Sequence, residues 1–281
     1  PPPPPPRRPP RPRPPPGLMG GSSSKAGEDE AGTELREEAM NERQLHTQAK
    51  YKISSLRPSS ALINDRGKAI LRNLQFMRAP WVLVQIVAML FMANNMPNAS
   101  SVGSHLDFVE FFAGEKEVTK AQWRRKKIAV PFDIVDDPEL QNILTDVGFL
   151  HALGLASNLK PGAAALSATV CSTWVFCNTG TSLRSKVNVL GNTSLQCIKD
   201  ANIMVARVCL LFMLVTATGS AWFLEQPRGS LMELHPRVQA LSRMMSIFKT
   251  HLFMHSFGAK TPKPTWLYSN KAFIQTITHY A

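Results

Sequence analysis

The sequence predicts an α/β domain built on a doubly wound, mostly parallel sheet over residues 100–281, preceded by a disordered Pro/Arg-rich extension. Three observations carry this. From Leu106 onward, short apolar runs alternate with stretches of helical composition, the order that places buried parallel strands between helices on both faces. The runs close on Gly, Pro or acidic residues, the punctuation of turns. A chain of 281 residues that is 44% hydrophobic also has the material for a core.

The elements follow in order. Pro1 to Pro16 holds 12 prolines, four arginines and no acid; proline removes backbone donors and fixes φ, so this tract reads as extended polyproline II with no core of its own. Residues 17–33 (GLMGGSSSKAGEDEAGT) continue it as a flexible tail. Residues 34–99 read as a helical or irregular linker region with one apolar helix, Ala79 to Ala93 (APWVLVQIVAMLFMA). A membrane span needs about 20 apolar residues, so that run reads as a buried packing helix, with an interfacial anchor or short span as the alternative. LDFVEFF is then a strand ending at Ala113-Gly114, Lys116 to Lys127 a helix, IAVPFDI a strand, Leu140 to Leu159 a helix, and AAALSATV a strand entering Cys171. Val208 to Leu224 is apolar but broken at Thr216, Thr218, Gly219 and Ser220, which reads as a helix, a turn and the strand AWFLE. Membrane association through either apolar run is the structural alternative.

The net charge of +12 favours polyanions, nucleic acid or an anionic membrane surface. It divides as +4 in Pro1 to Pro16, +2 in Gly17 to Ala99 and +6 from Ser100 onward. Four cysteines, none in a CxxC pair, argue against a disulfide framework and against a zinc site, and so for a reducing, intracellular setting and no metal. The chain opens on Pro rather than Met and shows no signal-peptide pattern, which suggests a truncated product.

In a parallel sheet, ligands bind where strands end in loops. Glu110-Phe111-Phe112-Ala113-Gly114 puts an acid within a strand and a glycine before a helix. Asp133 follows about 20 residues later, placed for ribose hydroxyls or simply for capping. Cys171 leads a polar CSTW segment and a Gly/Ser/Thr-rich loop, Cys177 to Arg184, a context for an accessible nucleophile rather than a core thiol. Glu225 closes an apolar strand before Gln226-Pro227, where partial desolvation would raise its pKa and suit it to donate a proton. Arg124-Arg125-Lys126-Lys127 is either a phosphate-contacting patch or the solvated end of a helix.

Taken together, the order of these motifs resembles the cytosine-5 DNA methyltransferases and their viral and protist relatives, over roughly Leu106 to Asn270. Phe112, Ala113 and Gly114 resemble the family's S-adenosylmethionine loop, with Glu110 as its acidic strand residue. The resemblance implies that Asp133 holds the cofactor ribose and that Asp146, in ILTD, contacts the adenine. It implies Cys171 as catalytic nucleophile and Glu225, in an EQP similar to the family's ENP form, as its partner on the cytosine ring. Phe257-Gly258-Ala259, Lys263-Pro264-Thr265 and Tyr268-Ser269-Asn270 are similar to the YG, KPT and WTN marks of phage-like members. The fold implied is a Rossmann-like methyltransferase, the partner DNA, contacted by Arg124, Arg125, Lys126, Lys127 and Arg184, and the location nuclear if DNA is the substrate. The chain departs from the pattern in three places: FAGEKE lacks a second glycine, Thr169-Val170 stands where the family has Pro-Pro, and no arginine-rich motif or separate target-recognition domain is present. These departures would suit an inactive relative that binds nucleic acid.

Overall fold

The computed structural model describes residues 63–94 and 106–280; the readings placed on 1–62 and 95–105 lie outside the described residues. Two helices come first, α1 (Asp65–Phe76) and α2 (Trp81–Asn94). Asn64 starts α1 by accepting from Gly67 N at 2.8 Å, which satisfies one of the free amides of the first turn. Leu83, Val84, Val87 and Phe91 of α2 are buried with Ile70 and Leu74 of α1 in the same core as the sheet. The apolar run read as part of a linker region is thus a packing helix of the main body.

The chain continues as β1 (Leu106–Phe111), α3 (Glu117–Arg124), β2 (Ala129–Phe132), α4 (Asp146–Ser157), β3 (Leu159–Ser167), the single turn α5 (Thr179–Ser182), α6 (Gln196–Ala217), β4 (Ala221–Pro227), α7 (Pro236–Met244), β5 (Phe248–Phe253) and β6 (Pro264–Ser269). All six strands form one sheet in the order β2-β1-β3-β4-β6-β5. β2, β1, β3 and β4 are parallel, whereas β6 runs antiparallel to both β4 and β5. The fold is therefore α/β with a mixed sheet, and the expectation of a mostly parallel one is corrected at its C-terminal third. A hairpin of Phe248 to Ser269 has no apolar run to announce it, because β5 carries Lys249, Thr250 and His251.

The connection β1 to β2 crosses the sheet one way and β2 to β3 the other, an order for which the right-handed crossover rule expects α3 and α4 on opposite faces. Strand parity agrees. Val109 and Phe111 of β1, Ala163 and Ala165 of β3, and Trp222 and Leu224 of β4 join the core that includes α4 and α6. Phe108 and Glu110 point the other way, towards α3. α4 begins at Asp146 rather than Leu140, because Thr145 Oγ1 accepts from Gly148 N at 3.0 Å and caps it there.

α6 is the one helix among the described residues long and apolar enough to cross a membrane. Its Leu211–Val215 stretch is buried, and Phe212 stacks on Trp222 with ring centroids 4.2 Å apart. Gly219, at φ +83°, turns the chain out of the helix and into β4, as the interrupted run implied.

Candidate functional site

The chain leaves β1 for β2 on one side and returns to β3 on the other, so the loops after β1 and β3 diverge at their carboxyl ends. A cleft of about 240 Å³ opens there. Its walls are Phe112 from the loop after β1, Phe132 to Ile134 at the end of β2, Gln141 to Leu144 before α4, Ala168 and Val170 after β3, and Met204 of α6. Phe112 takes φ +59° and Gly114 φ +47°, so the loop turns sharply away from the strand. Gly114 N donates to Asp133 Oδ2 at 2.8 Å, and Val135 N donates to Asp133 Oδ1 at 3.0 Å. Gln141 Oε1 accepts from Asp133 N at 2.8 Å. The structure thus brings Phe112, Gly114 and Asp133 to one place, with Ala113 buried behind them. Glu115 and Lys116 do not line the cleft; Lys116 turns outward to pair with Asp136.

Beside this cleft, in chain continuity with Val170, lies Cys171. It is half-buried, and burial first, then the Glu225 carboxylate, pushes its thiol up from the ordinary range, with Lys263 opposing the rise. Glu225 Oε1 meets Lys263 Nζ at 2.9 Å. Lys263 reaches this position because Thr265 of β6 pairs with Pro227 of β4, setting the start of one strand against the end of the other. The Cys171 loop is clamped from several directions. Gln226 Nε2 donates to Thr169 O at 2.8 Å, Trp174 N to Cys171 O at 2.8 Å, and Leu231 N to Trp174 O at 2.9 Å.

Four predicted groups lie away from the cleft. Glu110 lies on the opposite sheet face from the cleft, where its Oε2 accepts from Thr119 N at 2.6 Å and is met by the Thr119 hydroxyl, anchoring the first turn of α3. Glu110→Ala would leave the Thr119 donors buried without partners; a loss of about 2 kcal/mol is expected in thermal or urea unfolding. Asp146 is almost fully exposed in the first turn of α4, paired with Arg207 at 2.6 Å, and does not line the cleft. The segment that does is Gln141 to Leu144, immediately before it. Arg124, Arg125, Lys126 and Lys127 are exposed but precede β2, at the amino end of the sheet. A six-residue strand is about 20 Å long, so they stand a strand's length from Cys171 and Glu225. Arg184 is buried at 2% exposure and cannot contact phosphates from where it sits.

No family model, curated protein or solved structure matches the chain. The function has to be read from the cleft itself. Three participants escaped the sequence reading. Gln226 alternates with Trp222 and Leu224, so period-two parity could have turned it inward. Lys263 was visible in the KPT triplet, but only strand pairing delivers it to Glu225. Trp174 was read as part of a polar segment and is 1% exposed.

Proposed function

We propose that the chain is an S-adenosylmethionine-dependent methyltransferase-like protein acting on cytosine in DNA. The observation that carries this reading is the cleft at the sheet's switch point, with Asp133 on one wall and Cys171, Glu225 and Lys263 beside it. The residues present fit a nucleoside cofactor. Phe112, Ile134, Ile143, Leu144, Val170 and Met204 offer apolar walls to a flat base, and Gln141 and Asn142 add polar groups. Asp133 spends one acceptor site on Gly114 and one on Val135, and a carboxylate has about four, which leaves capacity for the paired hydroxyls of a ribose. The four parallel strands, with α3 and α4 on opposite faces, support a Rossmann-like framework for it.

The cofactor, when bound, supplies an electrophilic methyl group. The work of the chain's own residues lies on the other side of the reaction. Cytosine carbon-5 is a poor nucleophile, and addition of the Cys171 thiolate at carbon-6 makes it a better one. Because the thiol is pushed up, its proton must leave first, and Glu225 is the adjacent carboxylate able to take it and present it to ring N3. A cytosine must leave the base stack to reach this point, at a cost of about a few kcal/mol.

One observation favours the second reading, an inactive relative that binds nucleic acid: the Cys171 thiol is raised rather than lowered in the protein alone. Calorimetric titration with S-adenosylmethionine discriminates the two readings. Wild-type protein is expected to release or absorb heat saturably, and Asp133→Ala to lose about tenfold in affinity, the worth of one charge-assisted hydrogen-bond site. Absence of any saturable heat with the wild type overturns the enzyme reading and leaves the inactive one.

A further inference from the structure

We infer that Arg184 is a positioning residue for Cys171, acting through the indole of Trp174. The inference rests on Cys171 being the reacting group. Arg184 is 13 positions from Cys171 in sequence, and its guanidinium carbon lies over the Trp174 ring, 3.4 Å from the centroid. It has no carboxylate partner among the described residues. Its Nη1 donates to Val189 O at 2.6 Å and to Asn202 Oδ1 at 2.9 Å, and its Nη2 to Thr173 Oγ1 at 3.4 Å. The indole also meets the His235 ring edge-on, with centroids 5.6 Å apart. Burial lowers the Arg184 pKa to about 10, which leaves it charged at neutral pH. His235 is held at about 4 by burial and by Arg184 and Arg237, so it faces the cluster as a neutral ring.

The chain makes room for this cation deliberately. Gly191 sits at φ +70°, and a Cβ there would lie 2.8 Å from Arg184 Cγ and 2.5 Å from Ser182 O. A buried guanidinium without a counter-ion is expensive to keep; a leucine would fill the same space at lower cost. What the cation adds is a rigid stack on an indole combined with a hydrogen bond to Thr173. Both residues belong to the turn whose first carbonyl is that of Cys171 and whose last amide is that of Trp174. Arg184 therefore fixes the indole, the indole fixes the turn, and the turn holds the thiol half-buried beside Glu225. Rigidity that a Pro-Pro pair would lend the loop from before Cys171 is supplied here from after it.

The test is the pH profile of iodoacetamide alkylation, in protein carrying Cys177→Ser and Cys197→Ser so that only Cys171 and the buried Cys209 remain. Arg184→Met is expected to raise the Cys171 rate at pH 8 about tenfold and to move its profile towards that of an ordinary thiol, because the loosened turn exposes the sulfur. Arg184→Lys is expected to fall between the two, and it supplies the same readout should the methionine variant not fold. Cys209 must stay protected throughout. An unchanged Cys171 profile in the variants overturns the inference, as does acceleration of Cys171 and Cys209 in parallel, which would mark global opening. Failure of the methyltransfer reading appears separately, as absent S-adenosylmethionine binding by the parent protein, and leaves the alkylation comparison intact.

Discussion

Gly148→Ala is expected to destabilise the fold by about 3 kcal/mol and to abolish ligand binding in the cleft. Gly148 occupies the first turn of α4, and a Cβ on it would stand 2.0 Å from Asn142 O, 2.6 Å from its carbonyl carbon and 2.9 Å from its amide nitrogen. All three are backbone atoms, so no side chain can swing aside to relieve the overlap. Either α4 moves out, breaking the Thr145 cap on Gly148 N, or the 141–144 segment moves in. That segment is a wall of the cleft, and Gln141 in it holds the amide of Asp133. A domain of about this size loses roughly 2–4 °C per kcal/mol, so a melt followed by circular dichroism should fall by about 6–12 °C. Gly154→Ala in the same helix, where an added Cβ meets nothing, serves as the control and should melt at or above the parent temperature. An unaltered midpoint for Gly148→Ala would show that the close approach of α4 to Asn142 is not what the structure depicts.

Much of the site was legible because a parallel sheet sends all its strand ends to one edge. With LDFVEFF, IAVPFDI and AAALSATV as consecutive strands, Phe112, Asp133 and Cys171 have to emerge on the same side, whatever their separation in sequence. Glu110 misled because it was read by its nearness to Gly114. It lies one position from Val109 and Phe111, both core residues, and a one-residue step reverses the face. The basic run precedes β2, and that alone assigns it to the amino edge. Asp146 was lost to a helix boundary, since the Thr145 cap excludes residues 140–145 from α4 and turns Gln141 to Leu144 to the cleft instead. Arg184 had no signal of burial. Apart from Leu183 its neighbours are small or polar, and what covers it, Trp174 and the 189–202 segment, is set by tertiary packing alone. The β5–β6 hairpin, with Lys263 at its tip, was illegible for the same reason, since its polar positions are satisfied by partners elsewhere: Lys249 by Glu233 and Tyr268 OH by the same carboxylate.

Cys171→Ser is expected to lower methyl transfer by at least about a thousandfold and to eliminate the covalent adduct with a DNA oligonucleotide carrying a mechanism-based cytosine analogue. An adduct that survives the substitution places the nucleophile elsewhere. The pH dependence follows from the direction of the thiol's shift. A thiol pushed up is mostly protonated at neutral pH, so both adduct formation and alkylation should climb through pH 7 to 9 without reaching a plateau in that interval. Lys263→Met removes the one cation that opposes the rise and leaves Glu225 unpaired, and it should slow Cys171 at pH 8 by about tenfold more. The sign is opposite to that expected of Arg184→Met, which works through burial rather than charge. Salt separates the two mechanisms. Lys263 is about half exposed, at 48%, and its influence should shrink as ionic strength rises towards 1 M, where the Debye length is about 3 Å. The effect of Arg184, transmitted by packing through a buried indole, should persist. If both variants respond to salt alike, then Cys171 is tuned by surface charge alone and the buried cluster behind it has no part in setting its reactivity.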